Sequence, residues 1–419
     1  MATPWYREVS REQWKAFVAT FFGWVLDSFD FTILTFIIID IQKSFTIDAA
    51  LAGALGTVTM LTRLVGGVAA GAAADKWGRK GPLMVSILWF SLFAFLSGFS
   101  TSYAMLFALR ALFGIGMGGE WAAAMPLTLE HWPAHLRGIA SGLLQSGYSW
   151  GFVLSSFAFR YVYPLFNTDP NLGWRVMFWL GILPALMLLW IRSGVSESPV
   201  WLARQRHLKA TGKTDQFSLF RIFKRDLIAT TLHTSLLMGA FIFSYHATSF
   251  WYPTYLRGLQ LQPFWYLIAL NSGGILGSIF WGRVSESRIG RRGAATMGAV
   301  LGISMIPLYL MSTQSTFMLA GAFLIGLGGP GMWGVIPTYL SERFPTAARG
   351  VGPGFAYHAG AAIGSFTPTL IGRLKDHGMG LNIAMAWFIG AANVAAVIFM
   401  WLGPETRGRT FDPADDSAA

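Results

Sequence analysis

The sequence predicts an all-α membrane protein in which twelve transmembrane helices form two pseudo-symmetric halves of six. Three observations support this fold class. The chain has 419 residues, of which 54% are hydrophobic and only 12% are charged, about half the charged share of an ordinary soluble domain. Twelve stretches approach the roughly 20 apolar residues that a helix needs to cross a bilayer. An internal repeat relates the first six stretches to the last six.

Each predicted helix is a mostly apolar run bounded by charged or turn-forming residues. The first run follows sixteen largely polar residues and lacks a small-residue cleavage pattern, so we interpret it as an uncleaved anchor and expect no secretory signal peptide. The predicted ranges are 17–39, 51–74, 82–100, 103–129, 138–160, 174–193, 228–250, 264–284, 293–312, 316–338, 351–372 and 381–402.

One long polar connection divides the helices six and six. We therefore predict a first half at residues 1–193, a cytoplasmic linker at 194–227, a second half at 228–402 and a cytoplasmic tail at 403–419. The linker is rich in basic residues and is expected to hold interfacial helical pieces.

Positive charge alternates between the connections along the chain. The net charge of +11 could indicate affinity for nucleic acid, but the basic residues lie mainly at the N-terminus and in the second, central and eighth connections. Basic connections stay on the cytoplasmic side of a membrane, so the placement predicts cytoplasmic termini and a lipid partner, without nucleic acid. The chain has no cysteine, which excludes disulfides and thiolate metal sites.

The repeat is clearest after a shift of 212 positions, the separation of Gly114 from Gly326, which superposes the fourth and tenth helices. Gly114, Gly116, Gly119, Trp121, Glu130, Pro133, Arg137 and Gly138 then match Gly326, Gly328, Gly331, Trp333, Glu342, Pro345, Arg349 and Gly350. With a one-residue adjustment, GAAADKWGRK at Gly71–Lys80 also matches GRVSESRIGRR at Gly282–Arg292. Parallel repeats of this kind predict a binding site near the midplane between the halves.

Two of these stretches carry a resemblance to a known superfamily. GAAADKWGRK resembles the signature loop of the major facilitator superfamily, which joins helices two and three and recurs between helices eight and nine. RALFGIGMGG, at Arg110–Gly119, resembles that superfamily's fourth-helix motif of an arginine followed by spaced glycines. The resemblance covers essentially the whole chain. It implies the major facilitator fold and an alternating-access transporter, with no enzymatic activity and no cofactor beyond protons as the coupling ion.

Four further stretches resemble the sialate:proton symporter family, which includes bacterial sialic acid transporters and monocarboxylate permeases. They are WVLDSFDF, GMGGEWAAAMPLTLEHWPAHLRGIASG, WRVMFWLGILPAL with ESPVWL, and GFAYHAGAAIG. HATSFWYPT, at His246–Thr254, is similar to the seventh-helix motif of the monocarboxylate permeases. It departs at Ile242 and Phe250, where those permeases carry an Asn and an Asp, which weighs against lactate or pyruvate as the substrate.

Asp27 and Asp30 are two carboxylates within one turn of the first helix. At a spacing of i, i+3 they project from one face and are expected to be neighbours. Two carboxylates in a poorly solvated site cannot both be ionised cheaply, so we expect at least one to take up and release protons near the working pH. The alternative is a structural pair with an arginine that holds helices together.

Arg63 lies in the middle of the second helix and is the candidate anchor for an anionic substrate. A guanidinium presents a fixed fork that matches a carboxylate and does not lose its proton. The alternative is a permanent partner for Asp27 or Asp30. The two readings can be successive states, in which a substrate carboxylate displaces the aspartate from Arg63 and frees it to accept a proton.

Glu120 on the fourth helix is either a third proton-coupling carboxylate or a helix-packing hydrogen-bond partner. Arg110 on the same helix belongs to the superfamily motif, so we assign it a conformational or proton-relay role. The substrate site is predicted to include polar residues from both halves. Besides Arg63 they are His246, His358, Tyr357, Asn271 and Gln145.

The duplicated loops are predicted to form ion pairs that gate one conformation. In the first loop these are Asp75 with Arg79 and Lys80, and in the second they are Glu286 with Arg291 and Arg292. GIGMGG imitates a dinucleotide-binding glycine run, but it lies within an apolar helix with no preceding strand. The histidines show no metal-ligand spacing, and we expect no metal site.

These observations predict a proton-coupled symporter of a small organic anion, such as lactate, pyruvate or sialic acid, in the plasma (inner) membrane. Another symporter of the same fold, for an aromatic or other carboxylic acid, is an alternative within this class. A membrane-embedded sensor or enzyme without transport is an alternative from a different class. We expect the protein to act as a monomer, with its substrate, protons and the bilayer as its partners.

Overall fold

The computed structural model describes residues 5–132, 137–166, 169, 171–186, 194–198, 201–203, 205–206, 210, 218–344 and 351–408. Within these residues the chain is helical and has no strand. Twelve long helical segments, here named α1 to α12, correspond one to one with the predicted ranges. The predicted all-α membrane fold is confirmed.

The first half contains α1 to α6, and its last two helices change geometry along their length. Their bounds are α1 Arg11–Phe45, α2 Ala49–Trp77, α3 Lys80–Ser97, α4 Tyr103–His131, α5 Arg137–Phe157 with a π turn at Ala158–Val162 and a last piece at Tyr163–Phe166, and α6 Leu172–Trp179 with a 3₁₀ continuation at Leu180–Leu186.

The second half contains α7 to α12, four of which are interrupted. Their bounds are α7 Ile228–Ser249 and Tyr252–Gly258, α8 Pro263–Val284, α9 Gly290–Ser304 and a π turn at Pro307–Met311, α10 Ser315–Gly328 with Pro330–Val335 and Ile336–Arg343, α11 Gly352–Gly364 and Thr367–Asp376, and α12 Leu381–Leu402. After each interruption a proline stands in the first turn, where its missing N–H breaks no helical hydrogen bond.

Three helices of the first half begin with side-chain caps that satisfy otherwise unpaired N–H groups. Ser10 and Gln13 form a reciprocal capping box at the start of α1. Asp48 accepts a hydrogen bond from the Leu51 N–H at the start of α2, at 2.7 Å, and Ser102 does the same for Met105 at the start of α4. The polar residues between the apolar runs therefore fix where these helices start.

Glycines bring equivalent helix pairs close together in both halves. A Cβ added at Gly114 on α4 would clash with the Thr59 carbonyl on α2, and one at Gly326 on α10 would clash with the Leu270 carbonyl on α8. Gly114 and Gly326 are the residues that the sequence repeat matches. The repeat therefore encodes the same close helix contact twice.

The outer surface of the helices is apolar. Large exposed side chains include Val65 at 60%, Leu276 at 53%, Val300 at 56% and Trp387 at 71%. Among the residues that the structure describes, eight helices are long and apolar enough to cross a membrane by length and composition. An apolar exterior around a core that contains charged residues fits lipid as the surrounding solvent.

Several predicted features fall partly or wholly outside the described residues. These are residues 187–193 of the sixth helix, much of the linker including 211–217, residues 409–419 of the tail, and Pro133, Pro345, Arg349 and Gly350 of the repeat. Within the linker, Ser218–Phe223 forms a 3₁₀ helix just before α7. The predicted domain boundaries and the cytoplasmic placement of the termini stay predictions.

Candidate functional site

A central cavity lies between the two halves. Both halves contribute to its wall, with α1, α2 and α5 on one side and α7, α8, α10 and α11 on the other. The lining residues are Trp24, Met60, Arg63, Gln145, Tyr148, Ser149, Ile242, Tyr245, His246, Ser278, Pro330, Trp333, Tyr357 and Ala361. The position of the cavity between the halves is the one predicted from the repeat.

Arg63 is the one arginine or lysine in the described lining of this cavity. Its guanidinium lies 5.2 Å from the ring centre of Trp24 and 5.3 Å from that of Tyr357, so two aromatic faces hold it from different halves. Its Nη2 atom is 3.6 Å from Oδ2 of Asp27, which is too long for a hydrogen bond. Nε and Nη2 have no hydrogen-bond partner among the described residues.

Asp27 and Asp30 are both buried within the first half, at 0% and 1% exposure, and neither lines the central cavity. Asp27 approaches Arg63. Asp30 faces α6 instead, where its Oδ1 lies 3.2 Å from the place that a Cβ would take at Gly181. The two acids therefore have different surroundings, although they lie within one turn of the same helix.

Arg110 is the second fully buried guanidinium of the first half. It lies 4.0 Å from the ring centre of Phe113 and 5.4 Å from that of Phe178. Its three guanidinium nitrogens, like both oxygens of Asp30, have no hydrogen-bond partner among the described residues. Buried charged groups of this kind are costly and usually functional in membrane proteins.

Four of the six predicted substrate residues line the central cavity: Arg63, Gln145, His246 and Tyr357. The other two do not. Asn271 donates a hydrogen bond to the Leu267 carbonyl one turn earlier on α8, at 2.9 Å. His358 lies 5.7 Å, ring to ring, from Trp121 and is packed so tightly on Gly67 of α2 that a Cβ there would clash. Both therefore lie behind the wall of the cavity.

Aromatic side chains form much of the cavity wall, and the sequence analysis did not assign most of them. Trp24 packs on Tyr148 at 5.2 Å, and Tyr148 meets Tyr245 across the halves at 5.4 Å. Trp333 also lines the cavity. Its repeat partner Trp121 stacks on Tyr357 at 4.2 Å and 9°. The internal repeat matches Trp121 with Trp333, and this match was the one feature of the sequence that pointed to these two tryptophans.

The halves are fastened together on the side remote from the termini. The Asp376 carboxylate at the end of α11 accepts hydrogen bonds from the backbone N–H groups of Ala49 and Ala50, at 3.2 and 2.9 Å. Arg257 at the end of α7 lies 3.4 Å from Asp40 on α1 and donates to the Phe36 carbonyl at 3.0 Å. The central cavity is therefore closed on this side.

In the second duplicated loop the arginine side chains contact several acids. Arg291 lies 2.7 Å from Glu286 and 2.9 Å from Glu342. Arg292 lies 3.9 Å from Glu405. In the first loop, the side chain of Asp75 lies outside the described part of the structure, so its ion pairs with Arg79 and Lys80 stay a prediction.

Each duplicated loop is also capped by a glutamate that follows the last helix of its half. Glu197 accepts hydrogen bonds from the backbone N–H groups of Arg79 and Lys80, at 2.8 and 3.1 Å. Glu405 accepts from those of Arg291 and Arg292, at 3.0 and 3.1 Å. The sequence analysis missed both caps, although the short runs ESP and PET at corresponding places were a signal.

Glycines at equivalent positions make room for these caps. Gly78 and Gly290 have φ angles of 97° and 75°, and a Cβ at either would clash with the capping carboxylate. Burial raises the pKa of the Glu405 carboxyl, but the N–H groups of Arg407, Arg292, Arg291 and Thr406 outweigh it. The pKa of Glu405 is therefore below its ordinary value of 4.5.

The chain is similar to known membrane transporters. The Major Facilitator Superfamily matches residues 20–369. The chain is 34% identical over 408 residues to a probable 4-methylmuconolactone transporter of Cupriavidus pinatubonensis, covering 96% of this chain and 93% of that one. It is 31% identical over 417 residues to the sialic acid transporter NanX of Escherichia coli, covering 98% of both. The solved proton:xylose symporter XylE has the same fold, with a TM-score of 0.76 at 17% identity over 97% and 99% of the two chains.

The superfamily match, the relatives above 30% identity and the shared fold agree with the resemblance read from the sequence motifs. The structure also has a cavity between its two helical halves. The chain belongs to the Major Facilitator Superfamily, in its family of sialate and carboxylate permeases, and is an integral membrane transporter, not an enzyme.

Proposed function

We propose that this protein moves a small organic anion together with protons across the plasma (inner) membrane by alternating access, with both termini cytoplasmic. One observation carries the proposal: Arg63 lies in the wall of the central cavity with two guanidinium nitrogens unpaired among the described residues. A guanidinium in this state offers a carboxylate two parallel hydrogen bonds. The organic-acid names of the relatives point to the same class of substrate.

The contact of Arg63 with Asp27 supports proton coupling. At 3.6 Å the aspartate is the countercharge of Arg63 when no substrate is present. A substrate carboxylate on Arg63 takes over that role and leaves Asp27, at 0% exposure, without its nearest countercharge. An isolated buried carboxylate is neutralised by a proton. Anion binding and proton uptake are then two parts of one event.

The aromatic wall favours a planar acid over lactate, pyruvate or sialic acid. Five aromatic side chains line the space that the rest of the substrate would occupy when its carboxylate is bound to Arg63. They are Trp24, Tyr148, Tyr245, Trp333 and Tyr357. The flat faces of these aromatic rings make their most favourable contacts with a conjugated or aromatic substrate. A polyhydroxylated sugar acid presents no conjugated face to these rings and gains less from them.

The experiment is uptake by purified protein in liposomes, with the outside acidic relative to the lumen. The panel contains labelled lactate, pyruvate, sialic acid, benzoate and cis,cis-muconate. We expect the gradient to drive accumulation of at least one acid, and collapse of the gradient by a protonophore to abolish it. Faster uptake of benzoate or muconate would support the planar-acid assignment. Failure of the gradient to drive uptake of any acid would contradict the proposal.

A further inference from the structure

Arg63 and five aromatic side chains form a closed belt in the wall of the central cavity, which we call the aromatic belt. Each member lies 5.2 to 6.2 Å from the next, measured between ring centres or from the guanidinium to a ring centre. In order round the belt they are Arg63, Trp24, Tyr148, Tyr245, Trp333 and Tyr357. The first three belong to the first half and the last three to the second, so the belt spans both halves.

Tyr245 is the member of the belt farthest from Arg63, because two other members lie between them in either direction. Arg63 lies on α2 of the first half and Tyr245 on α7 of the second. The two residues therefore belong to opposite sides of the cavity. A ligand that is bound to Arg63 and enclosed by the belt has Tyr245 at its far end.

The tyrosine hydroxyls of the belt interact with one another across the halves. The Tyr245 hydroxyl is within electrostatic reach of those of Tyr148 and Tyr357. The hydroxyls of Tyr148 and Tyr357 are also within reach of the Arg63 guanidinium. This mutual reach supports hydroxyls that point toward the space between the halves.

The Tyr245 hydroxyl is buried and has no hydrogen-bond partner among the described residues. The Ser249 hydroxyl, one turn later on α7, donates to the Tyr245 carbonyl at 2.8 Å. The other buried side-chain atoms of the described lining that lack a partner are N–H donors. They are Nε1 of Trp24, Nε and Nη2 of Arg63, and Nε2 of Gln145. A ligand that satisfies this wall therefore needs a hydrogen-bond acceptor besides its carboxylate.

We propose that Tyr245 is a specificity-determining residue, which selects planar acids with a second hydrogen-bond acceptor at the end remote from the carboxylate. The inference rests on the proposed function, because it takes Arg63 as the site of the carboxylate. The Tyr245 hydroxyl donates to the second acceptor, a carbonyl oxygen or a ring nitrogen. A planar acid without this acceptor contacts the same rings but leaves the hydroxyl unpaired, which weakens its binding.

The test compares the binding of benzoate and isonicotinate to the purified protein in detergent, by isothermal titration calorimetry. The two anions have nearly the same size and the same charge. They differ opposite the carboxylate, where isonicotinate has a ring nitrogen in place of a C–H group. We expect the wild type to bind isonicotinate at least about fivefold more tightly than benzoate. Tyr245→Phe removes only the hydroxyl and should lower this preference to about twofold or less.

Two other tyrosines provide matched controls, because the same substitution removes the same group elsewhere. Tyr148→Phe removes a belt hydroxyl that is within reach of Arg63, at the carboxylate end of the ligand. It should change both affinities by a similar factor and keep the preference for isonicotinate. Tyr161 is 60% exposed and lies outside the described lining of the cavity, so Tyr161→Phe should change neither affinity.

Three outcomes would overturn the inference. They are equal binding of the two acids by the wild type, an unchanged preference in Tyr245→Phe, and loss of both affinities in a folded Tyr245→Phe protein. Binding of neither acid by the wild type would overturn it as well. The affinity measurement needs no proton gradient, whereas the proposed function is tested by gradient-driven uptake of the panel above. Failure of that uptake contradicts the proposed function and is therefore distinguishable from failure of the binding preference.

Discussion

Nη2 of Arg63 lies 3.6 Å from Oδ2 of Asp27, and the two side chains are 2% and 0% exposed. The pair is close enough for strong attraction in a dry interior but too long for the directional bonds of a bidentate ion pair. Arg63 therefore has an ionic partner and still has unused hydrogen-bonding capacity, and its side chain lines the central cavity.

The Arg63→Lys substitution tests whether the forked guanidinium group of Arg63 recognises the substrate carboxylate. Lysine keeps the charge but cannot offer two parallel N–H donors. Loss of one charge-assisted hydrogen bond is worth about 1.5–3 kcal/mol, so we expect the KM for the transported acid to rise about 10-fold to 100-fold. The measurement is initial-rate uptake at equal protein density. An unchanged KM would show that the fork does not recognise the substrate.

The role of Asp27 as a displaceable countercharge predicts the pH dependence of binding. In the wild type, a carboxylate that occupies Arg63 requires proton uptake by Asp27, so affinity for the acid should fall as pH rises. Asp27→Asn carries no competing charge, and its affinity should be nearly the same at about pH 6 and about pH 8. Isothermal titration calorimetry in detergent measures the affinities of the wild type and of Asp27→Asn at each pH. If the affinity of Asp27→Asn kept the wild-type pH dependence, Asp27 would not be the group that couples proton uptake to substrate binding.

Gly23→Ala probes the position of the Glu120 carboxylate without changing any charge. The added methyl group would lie 2.8 Å from Oε1 and must displace it. We expect Gly23→Ala to lower net proton-coupled uptake, and Gly23→Ala with Glu120→Asp to recover part of the loss, because the shorter side chain withdraws the carboxylate. Equal defects in the single and double variants would contradict this steric explanation.

Asp376 predicts a specific change in conformation. Its carboxylate belongs to the second half but caps the start of α2 in the first half. Asp376→Asn should weaken closure on the side remote from the termini. Thr57 on α2 donates a hydrogen bond to the Ser365 carbonyl on α11, at 2.6 Å. Because the chain has no cysteine, a single Thr57→Cys substitution at this contact reports opening through its rate of maleimide labelling. We expect Asp376→Asn to raise that rate.

Asp48→Asn is the matched control for Asp376→Asn. Asp48 caps the same helix start, but from its own half, through the Leu51 N–H at 2.7 Å. Its loss should destabilise α2 locally by about 1 kcal/mol without releasing the second half. If both variants raised labelling equally, fraying of α2 would explain the effect and the contact between halves would not.

Glu405 predicts a stability difference that depends on pH. Its folded-state pKa lies below the ordinary 4.5 because backbone N–H donors outweigh burial. Its contribution to stability is therefore present above the ordinary pKa and is lost as pH falls through the folded value. We expect Glu405→Gln to lower the thermal unfolding midpoint near pH 7 and to differ little from wild type near pH 3. A difference that grew on acidification would contradict this sign.

Much of the fold could be predicted from one sequence because the membrane imposes a simple rule. A segment that crosses hydrocarbon must be helical, about 20 residues long and mostly apolar, so composition along the chain locates it. The predicted range 381–402 coincides with α12 at Leu381–Leu402. The sequence repeat that matches Gly114 with Gly326 corresponds in the structure to the same close helix contact in both halves, because only glycine permits that approach.

The candidate site could be predicted only in part. Arg63, Asp27 and Glu120 were identifiable because an ionisable group in an apolar helix is rare whatever it contacts. Spacing suggested that Asp27 and Asp30 share one environment, but α6 meets α1 at Gly181 and gives Asp30 different neighbours. His358 and Asn271 were predicted as substrate residues from their residue type alone. In the structure, His358 packs against α2 and Asn271 is hydrogen-bonded within α8, so neither lines the central cavity.

By itself, the sequence determined that this chain is a two-half membrane transporter with buried charges, because hydrophobic runs, repeats and motifs are local properties. Only the tertiary structure decided which charges meet, which aromatic rings enclose the central cavity, and that Glu120 packs against α1 at Gly23. Those facts depend on the rotation and depth at which helices distant in sequence pack together. The sequence of a single helix does not specify the angle at which neighbouring helices pack against it.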